Sequence, residues 1–355
     1  MSDVSAAATD ARSVMASEIR EQPVTLRRTI ERLLPQLGQL RDVLRDCRGI
    51  TLFARGSSDT AATYGRYLYE IEAAMPCSLG APSIATLYRT TPDLSGTVAV
   101  VLSQSGETDE LVEVATWARQ CGARTVAITN RAHSPLADAV HLPLITEAGV
   151  ERAVPATKTH TAQLAALAVL VAGLVDDTAH VAALEEVPDE AARLLKDTSM
   201  AQAVADAMTD AEAVVISGRS YTLATAQELA LKIQEVCGQP ALGLSAADLQ
   251  HGPHALERPG VPLLITAAPD GPSLLALEAV ATTARRRGSA VYGIGGDARI
   301  RAVCDIAVPG PVLPEAVAPI VGIVPGQILV ETLARRRGLG PDNPHGLTKV
   351  TQTAQ

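Results

Sequence analysis

The stretch Val98–Leu111 reads VAVVLSQSGETDEL, and its interpretation decides the fold. Five apolar residues in a row, Val98 to Leu102, have the length and β-branched content of a strand covered on both faces. The run stops in Ser103-Gln104-Ser105-Gly106-Glu107-Thr108, and a helical pattern resumes around Glu110 to Gln120. A buried strand, a polar turn and a helix make up the repeating unit of a parallel α/β sheet.

In an open parallel sheet, ligands gather at the carboxyl ends of the strands, where the next helix turns its free N–H groups toward the site. Hydroxyls of Ser103, Ser105 and Thr108, with Gly106 allowing close backbone approach, suit a phosphate cradle without a Walker lysine. The same residues suit a Ser/Thr helix cap followed by a capping-box Glu, and the two readings are compatible. Ser57 and Ser58 follow the preceding strand of the unit ITLFARGSSDTAATYGRYLYEIEAAM and add two hydroxyls at the adjacent strand end.

Outward from this stretch, ARTVAITN supplies another strand ending at Asn130. Before it, Ile19, Val24, Leu26, Ile30, Leu33, Leu34, Leu37, Leu40 and Val43 recur at helical spacing from Val14 to about Asp46. The second half repeats the plan: TLFARGSSDTAATYGRYLYEIE aligns with AVVISGRSYTLATAQELALKIQ at an offset of 162, pairing Gly56 with Gly218 and Ser58 with Ser220. VPLLITAAPDGPS then stands in for VAVVLSQSGETDE, with Ala-Ala-Pro-Asp where the first copy has Ser-Gln-Ser-Gly. A last helix is expected over roughly 316–337, before a Gly- and Pro-containing tail that forbids a long helix. The expected organisation is a helical lead-in (1–45), two α/β modules (46–200 and 201–338) and a tail (339–355).

Composition agrees with this class. The chain has 355 residues, 47% apolar but with one Phe and one Trp, so its core is built from Ala, Val, Leu and Ile. A net charge of −9 argues against nucleic acid as a partner. Five scattered cysteines without a CxxC pair read as reduced thiols of a cytoplasmic protein. No apolar leader opens the chain, and the longest apolar run, Leu164 to Val175, has 12 residues against the roughly 18–20 needed to cross a membrane. It reads as a buried helix.

Three further stretches carry chemistry. Glu228, Lys232 and Glu235 lie at i, i+4 and i+7, which suits a solvated salt-bridge ladder. With apolar Leu229, Ala230, Leu231 and Ile233 around them, the same spacing also suits a carboxylate tuned as a base. His251 projects from a turn beside a Gly-Pro break, and His254 follows it. Neither belongs to a metal motif, and no metal or cofactor is expected. Lys349 reads as a tail lysine unless the tail folds over the site.

SEIREQP, ARGSSDTA, LSQSGETDE, ERAVPATKTHTAQL, ELALKIQE, LQHGPHAL and PHGLTKVT occur in one order from Ser17 onward. Together they resemble the sugar isomerase (SIS) family, closely the isomerase half of the glucosamine-6-phosphate synthases. The resemblance implies two tandem SIS modules, each a parallel sheet flanked by helices, in a homodimer with active sites near the subunit interface. It implies that Ser57, Ser58, Ser103, Gln104, Ser105 and Thr108 bind the sugar phosphate. Val154 is implied to touch the sugar through its backbone, with Thr157 and Lys158 in the same motif. By the same resemblance Glu235 moves a proton between C1 and C2, with Glu228 and Lys232 as its neighbours. His251 opens the sugar ring from across the dimer interface, and Lys349 is the tail lysine able to form a Schiff base.

The chain begins MSDVSAAA, without a glutaminase domain, so the expected reaction is deamination with isomerisation of a 2-amino-2-deoxyhexose 6-phosphate to a ketose phosphate. Elimination of the C3 hydroxyl from an N-acetylated substrate is the alternative. A deglycase or a sugar-phosphate sensor are further ones. Pro155 and Asp248 stand where the synthases commonly carry a small residue and Glu, and both are expected to alter the sugar pocket.

Overall fold

The computed structural model describes residues 13–175 and 177–352; the ends of the expected lead-in and tail, and residue 176, lie outside the described residues. Among the described residues ten strands form two five-stranded sheets. The first contains β1 (Gly49–Phe53), β2 (Cys77–Leu79), β3 (Thr97–Leu102), β4 (Arg124–Thr129) and β5 (Leu142–Ile145). The second contains β6 (Val214–Gly218), β7 (Ala241–Ser245), β8 (Leu263–Ala267), β9 (Val291–Gly295) and β10 (Ile306–Val308).

Every strand pair is parallel, and the orders are β2-β1-β3-β4-β5 and β7-β6-β8-β9-β10, the same topology twice. This is the doubly wound order whose chain reverses direction between the first and third strands, opening a crevice at their carboxyl ends. The α/β class with two tandem parallel-sheet modules flanked by helices is therefore observed.

The internal repeat holds with a corrected register. Gly49 and Val214 open equivalent strands, and Ser57 and Thr222 open equivalent 16-residue helices, each pair 165 positions apart. The offset of 162 is short by three residues. Three residues are close to one helical turn, so the misaligned copies still match apolar face to apolar face.

The described part of the lead-in has three helices, Val14–Arg20, Gln22–Leu33 and Leu37–Leu44, with a 3-10 turn at Leu34–Gln36. Pro23 and Pro35 lack the N–H that a continuous helix would need, so each sits near the start of a new segment. Likewise the single helix expected over 316–337 is two, Pro319–Gly322 and Val324–Arg336, with Pro325 in the first turn of the second.

The apolar run becomes the helix Lys158–Ala172, buried at all 15 positions. It packs on the helices Gln22–Leu33 and Ser57–Glu72, and the Ser57–Glu72 helix in turn meets Thr222–Cys237 of the second module. One apolar core spans both sheets across these helices. All five cysteines are unbridged, and no described helix is long and apolar enough to cross a membrane.

Candidate active site

A cavity of about 400 Å3 opens at the carboxyl ends of β1 and β3, where the strand order reverses. Its wall contains Ser57, Ser58, Ser103, Gln104, Ser105, Thr108, Val154, Lys232, Glu235 and Lys349. The structure thus gathers residues from both modules and the tail. Glu228 lies directly behind this wall and His251 is elsewhere.

Local hydrogen bonds shape the loop after β3. Ser103 Oγ accepts from Gly106 N (3.2 Å) and Ser105 Oγ accepts from Glu107 N (3.2 Å), which fixes the turn. Each hydroxyl still has its proton to donate to a ligand oxygen. Thr108 is the N-cap residue of the helix Asp109–Gln120, yet its side chain makes no cap bond. Among the described residues the side chains of Ser57, Gln104 and Thr108 have no protein partner. They are polar groups at a cavity wall without internal satisfaction, as a ligand site requires.

The capping-box reading does not hold, because the helix starts after Thr108 and its N3 residue is Leu111; Glu107, ahead of the cap, pairs with Arg131 at 2.6 Å. Gly106 adopts φ +67°, and a Cβ there would lie 2.3 Å from Ser134 Oγ, so this turn demands glycine. Arg55, in the loop after β1, grips Glu110 through two bonds of 2.9 and 2.8 Å and ties that loop to the first turn of the helix Asp109–Gln120.

The face bearing Glu228, Lys232 and Glu235 is not a solvated ladder. Glu228 and Lys232 are 0% and 1% exposed. Glu228 accepts from Thr60 Oγ1 of the first module at 2.7 Å and stands 3.6 Å from the Lys232 ammonium. Lys232 in turn bonds Glu235, which is half-buried at the cavity wall. Burial raises the Glu235 carboxyl above its ordinary range, Lys232 opposes this, Glu228 reinforces it and Lys349 opposes it again. Burial disfavours the Lys232 cation, but Glu228 and Glu235 outweigh that and leave its pKa raised. A carboxylate with elevated basicity beside a fixed cation is suited to taking up and returning a proton.

Lys349 reaches the site because the tail is anchored upstream. Asp342 accepts from Val14 N (3.0 Å) and Met15 N (2.8 Å) at the start of the first lead-in helix, and its carbonyl accepts from Val154 N at 2.8 Å. Lys349 Nζ then lies 2.7 Å from Glu151 Oε2 and 3.4 Å from the Val154 carbonyl. Farther on, Gln352 accepts from Asp109 N at 3.1 Å and donates to the Glu107 carbonyl at 3.0 Å, laying the tail across the loop after β3.

Sequence reasoning did not single out Glu151, His160 or Gln163. Glu151 is buried and accepts from the backbone and hydroxyl groups of Thr157 and Thr159 as well as from Lys349. Burial works to raise its carboxyl, but Lys349 and these hydrogen bonds hold it below the usual range. Gln163 Nε2 donates to Ser58 Oγ at 3.0 Å. The signal for Glu151 was a carboxylate just ahead of a Thr-x-Thr helix start, where free N–H groups favour an anion.

Other expectations change. Thr157 and Lys158 do not line the cavity. Thr157 is engaged by Glu151, and buried Lys158 pairs with Glu21 at 2.6 Å and Glu18 at 3.7 Å, clamping the lead-in onto the ERAVPATK segment. Pro155 is buried and Asp248 exposed, and neither lines the cavity. His251 is exposed, in the turn after the helix Ala246–Gln250, away from its own chain's cavity.

Residues 43–173 match the SIS domain family. The glutamine–fructose-6-phosphate aminotransferase (isomerizing) of Pyrococcus horikoshii is 32% identical over 341 residues, covering 94% of this chain and 57% of that protein. The chain therefore spans somewhat over half the length of the curated relatives it matches. The C-terminal domain of the glucosamine-fructose-6-phosphate aminotransferase of Francisella tularensis superposes with a TM-score of 0.85 at 26% identity, covering 96% of this chain and 100% of that one. A Silicibacter pomeroyi DSS-3 protein, crystallised under the provisional name phosphosugar isomerase, is 30% identical with a TM-score of 0.81, covering 93% of this chain and 100% of that one. From the twice-repeated topology, the hydroxyl-lined cavity and these matches over nearly its whole length, the chain belongs to the SIS domain family.

Proposed function

We propose that the protein is an amino-sugar-phosphate deaminase and isomerase, converting a 2-amino-2-deoxyhexose 6-phosphate and water into a ketohexose 6-phosphate and ammonia. The observation that carries this reading is Glu235, a carboxylate of raised pKa on the wall of the cavity into which the Ser103–Thr108 hydroxyls open. The names of the relatives, which refer to fructose 6-phosphate, support a hexose phosphate as the ligand class.

In this reading the phosphate accepts hydrogen bonds from Ser103, Ser105 and Thr108, with Gln104 and Ser57 adding donors. Ring opening exposes the C1 aldehyde, which acidifies the C2 hydrogen. Glu235 removes that proton and the electron pair moves into the C1–C2 bond, giving an enolamine. Returning the proton to C1 leaves an imine at C2; water adds, ammonia leaves and the ketone remains. Lys349 acts as a cation toward the charge that builds on the C1 oxygen. In this role it forms no covalent bond to the sugar; its Nζ is held 2.7 Å from Glu151 Oε2.

His251 serves ring opening in a neighbouring copy, so the proposal includes a homodimer. Mixing inactive Glu235→Gln and His251→Ala chains under subunit exchange then restores activity through one intact site per mixed dimer. Continued inactivity of the mixture rejects the shared site.

The reaction is tested with glucosamine 6-phosphate and, separately, its N-acetyl form. Ammonia and ketose phosphate in equal amounts from the free amine are expected. An ultraviolet-absorbing unsaturated product from the N-acetyl form, without ammonia, replaces this reading with elimination at C3.

A further inference from the structure

One buried group on the cavity wall has no role in the chemistry above. His160, 1% exposed, lies in the first turn of the helix Lys158–Ala172, and its Nδ1 is 3.1 Å from the Ser57 carbonyl oxygen. A carbonyl only accepts, so Nδ1 carries the proton. Burial lowers the His160 pKa; Glu228 opposes this and the Lys232 ammonium adds to it. The ring is therefore neutral near pH 7 and Nε2 is a bare acceptor. Among the described residues nothing donates to Nε2, while the ring forms part of the same wall as Ser57 and Glu235. Nε2 is not among the sealed, unpaired polar atoms, so it keeps access to the cavity and can accept a hydrogen bond from a ligand there.

Position narrows the donor. The hydroxyl loop after β3, with Ser57, takes the phosphate and Glu235 takes the reacting carbons, which leaves His160, on the helix Lys158–Ala172, for the middle of the sugar chain. We propose that His160 is a specificity-determining residue whose Nε2 accepts a hydrogen bond from the C3 or C4 hydroxyl of the bound sugar phosphate and so selects its configuration. The inference rests on the reading of the cavity as a sugar-phosphate site. A carbonyl or ether oxygen presented there instead would face the imidazole lone pair and be disfavoured.

Binding, not turnover, tests it. The probes are sorbitol 6-phosphate, an unreactive open-chain analogue, its 3-deoxy and 4-deoxy forms, and inorganic phosphate as a measure of the cradle alone. The unaltered chain is expected to bind one deoxy form roughly 10-fold more weakly than the parent, the loss of about one hydrogen bond. His160→Phe should weaken the parent by a similar factor and no longer distinguish the two. His160→Gln, able to donate to Ser57 and accept from the ligand, should keep the discrimination, and phosphate should bind all three proteins alike.

A Phe variant that still discriminates by the original factor overturns the proposal, as does an unaltered chain indifferent to both deoxy forms. A chain that discriminates through His160 but releases no ammonia contradicts the proposed reaction alone. Failure of the unaltered chain to bind any hexitol phosphate overturns both.

Discussion

The two sheets have one topology and opposite fates. After β3 the chain runs Ser103-Gln104-Ser105-Gly106; at the equivalent end of β8 it runs Ala268-Pro269-Asp270-Gly271. Both turns keep a positive-φ glycine, +67° at Gly106 and +99° at Gly271, so the turn is shared and the hydroxyls are not. After β1, the Ser57 side chain is free at the cavity wall. Its counterpart Thr222 accepts from Arg219 N (3.1 Å) and donates to the Arg219 carbonyl (3.0 Å), consuming its hydroxyl in its own turn. The first crevice holds about 400 Å3, whereas the second, packed by Pro311, Ala318 and Pro319, holds about 10 Å3. The second module contributes its Thr222–Cys237 helix, with Lys232 and Glu235, to the cavity of the first. In the proposed reaction, binding and chemistry are thereby divided between two copies of one fold.

That division is broken most severely at the chemical end. Glu235→Gln should lower kcat roughly 1000-fold, the loss typical of a removed general base, while sugar-phosphate binding persists. Comparable losses of binding and turnover would mean that Glu235 only supports the pocket. Lys232→Met removes the cation that opposes the upward shift at Glu235. Because the base must be deprotonated, activity falls as pH drops through the Glu235 pKa, and this variant should move that acid limb to higher pH. An unmoved pH–rate profile would show that the pair does not set the base.

At the binding end the comparison sharpens into a paired test. Thr108→Ala should raise KM roughly 10-fold by removing a charge-assisted hydrogen bond to phosphate, with kcat nearly unchanged. Asp270→Ala, in the corresponding loop of the second module, should change neither. Equal effects of the two substitutions on KM would erase the distinction between the loops.

The smallest effect concerns the tail. Glu151→Gln should lower stability by about 2 kcal/mol at neutral pH, as a charged hydrogen-bond acceptor is lost. The folded Glu151 carboxyl is depressed, so its contribution is full above the unfolded carboxylate range. It disappears as pH falls through the folded value, and the variant and unaltered proteins should converge in acid. A difference in denaturation midpoint that persists at low pH would assign the loss to packing.

The sheets, their tandem repeat and the hydroxyl loop were legible because each rests on local pattern: an apolar run, a polar stop, a helical period. The repeat register slipped by three because helical periodicity nearly tolerates such a shift. The roles of Lys158 and Glu151 were not legible, since they depend on partners far along the chain. Lys158 turns to Glu21, and Glu151 meets a lysine 198 positions away. Residue pattern alone left Lys349 a tail lysine and only the family resemblance put it in the site; the physical reason is Asp342, which accepts from Val14 N and Met15 N and anchors the tail upstream. His160 looked like any residue of a buried helix until its ring met the Ser57 carbonyl.

The central claim, that Glu235 on the second module's helix moves the C2 proton of a sugar phosphate held by the first module's loop, is tested most directly by running the reaction with glucosamine 6-phosphate in D2O and following C1 and C2 by NMR. The expected result is ammonia release with solvent deuterium at C1 of the ketose phosphate, abolished in Glu235→Gln and retained in Asp270→Ala. Deuterium entry at an undiminished rate in Glu235→Gln would contradict it.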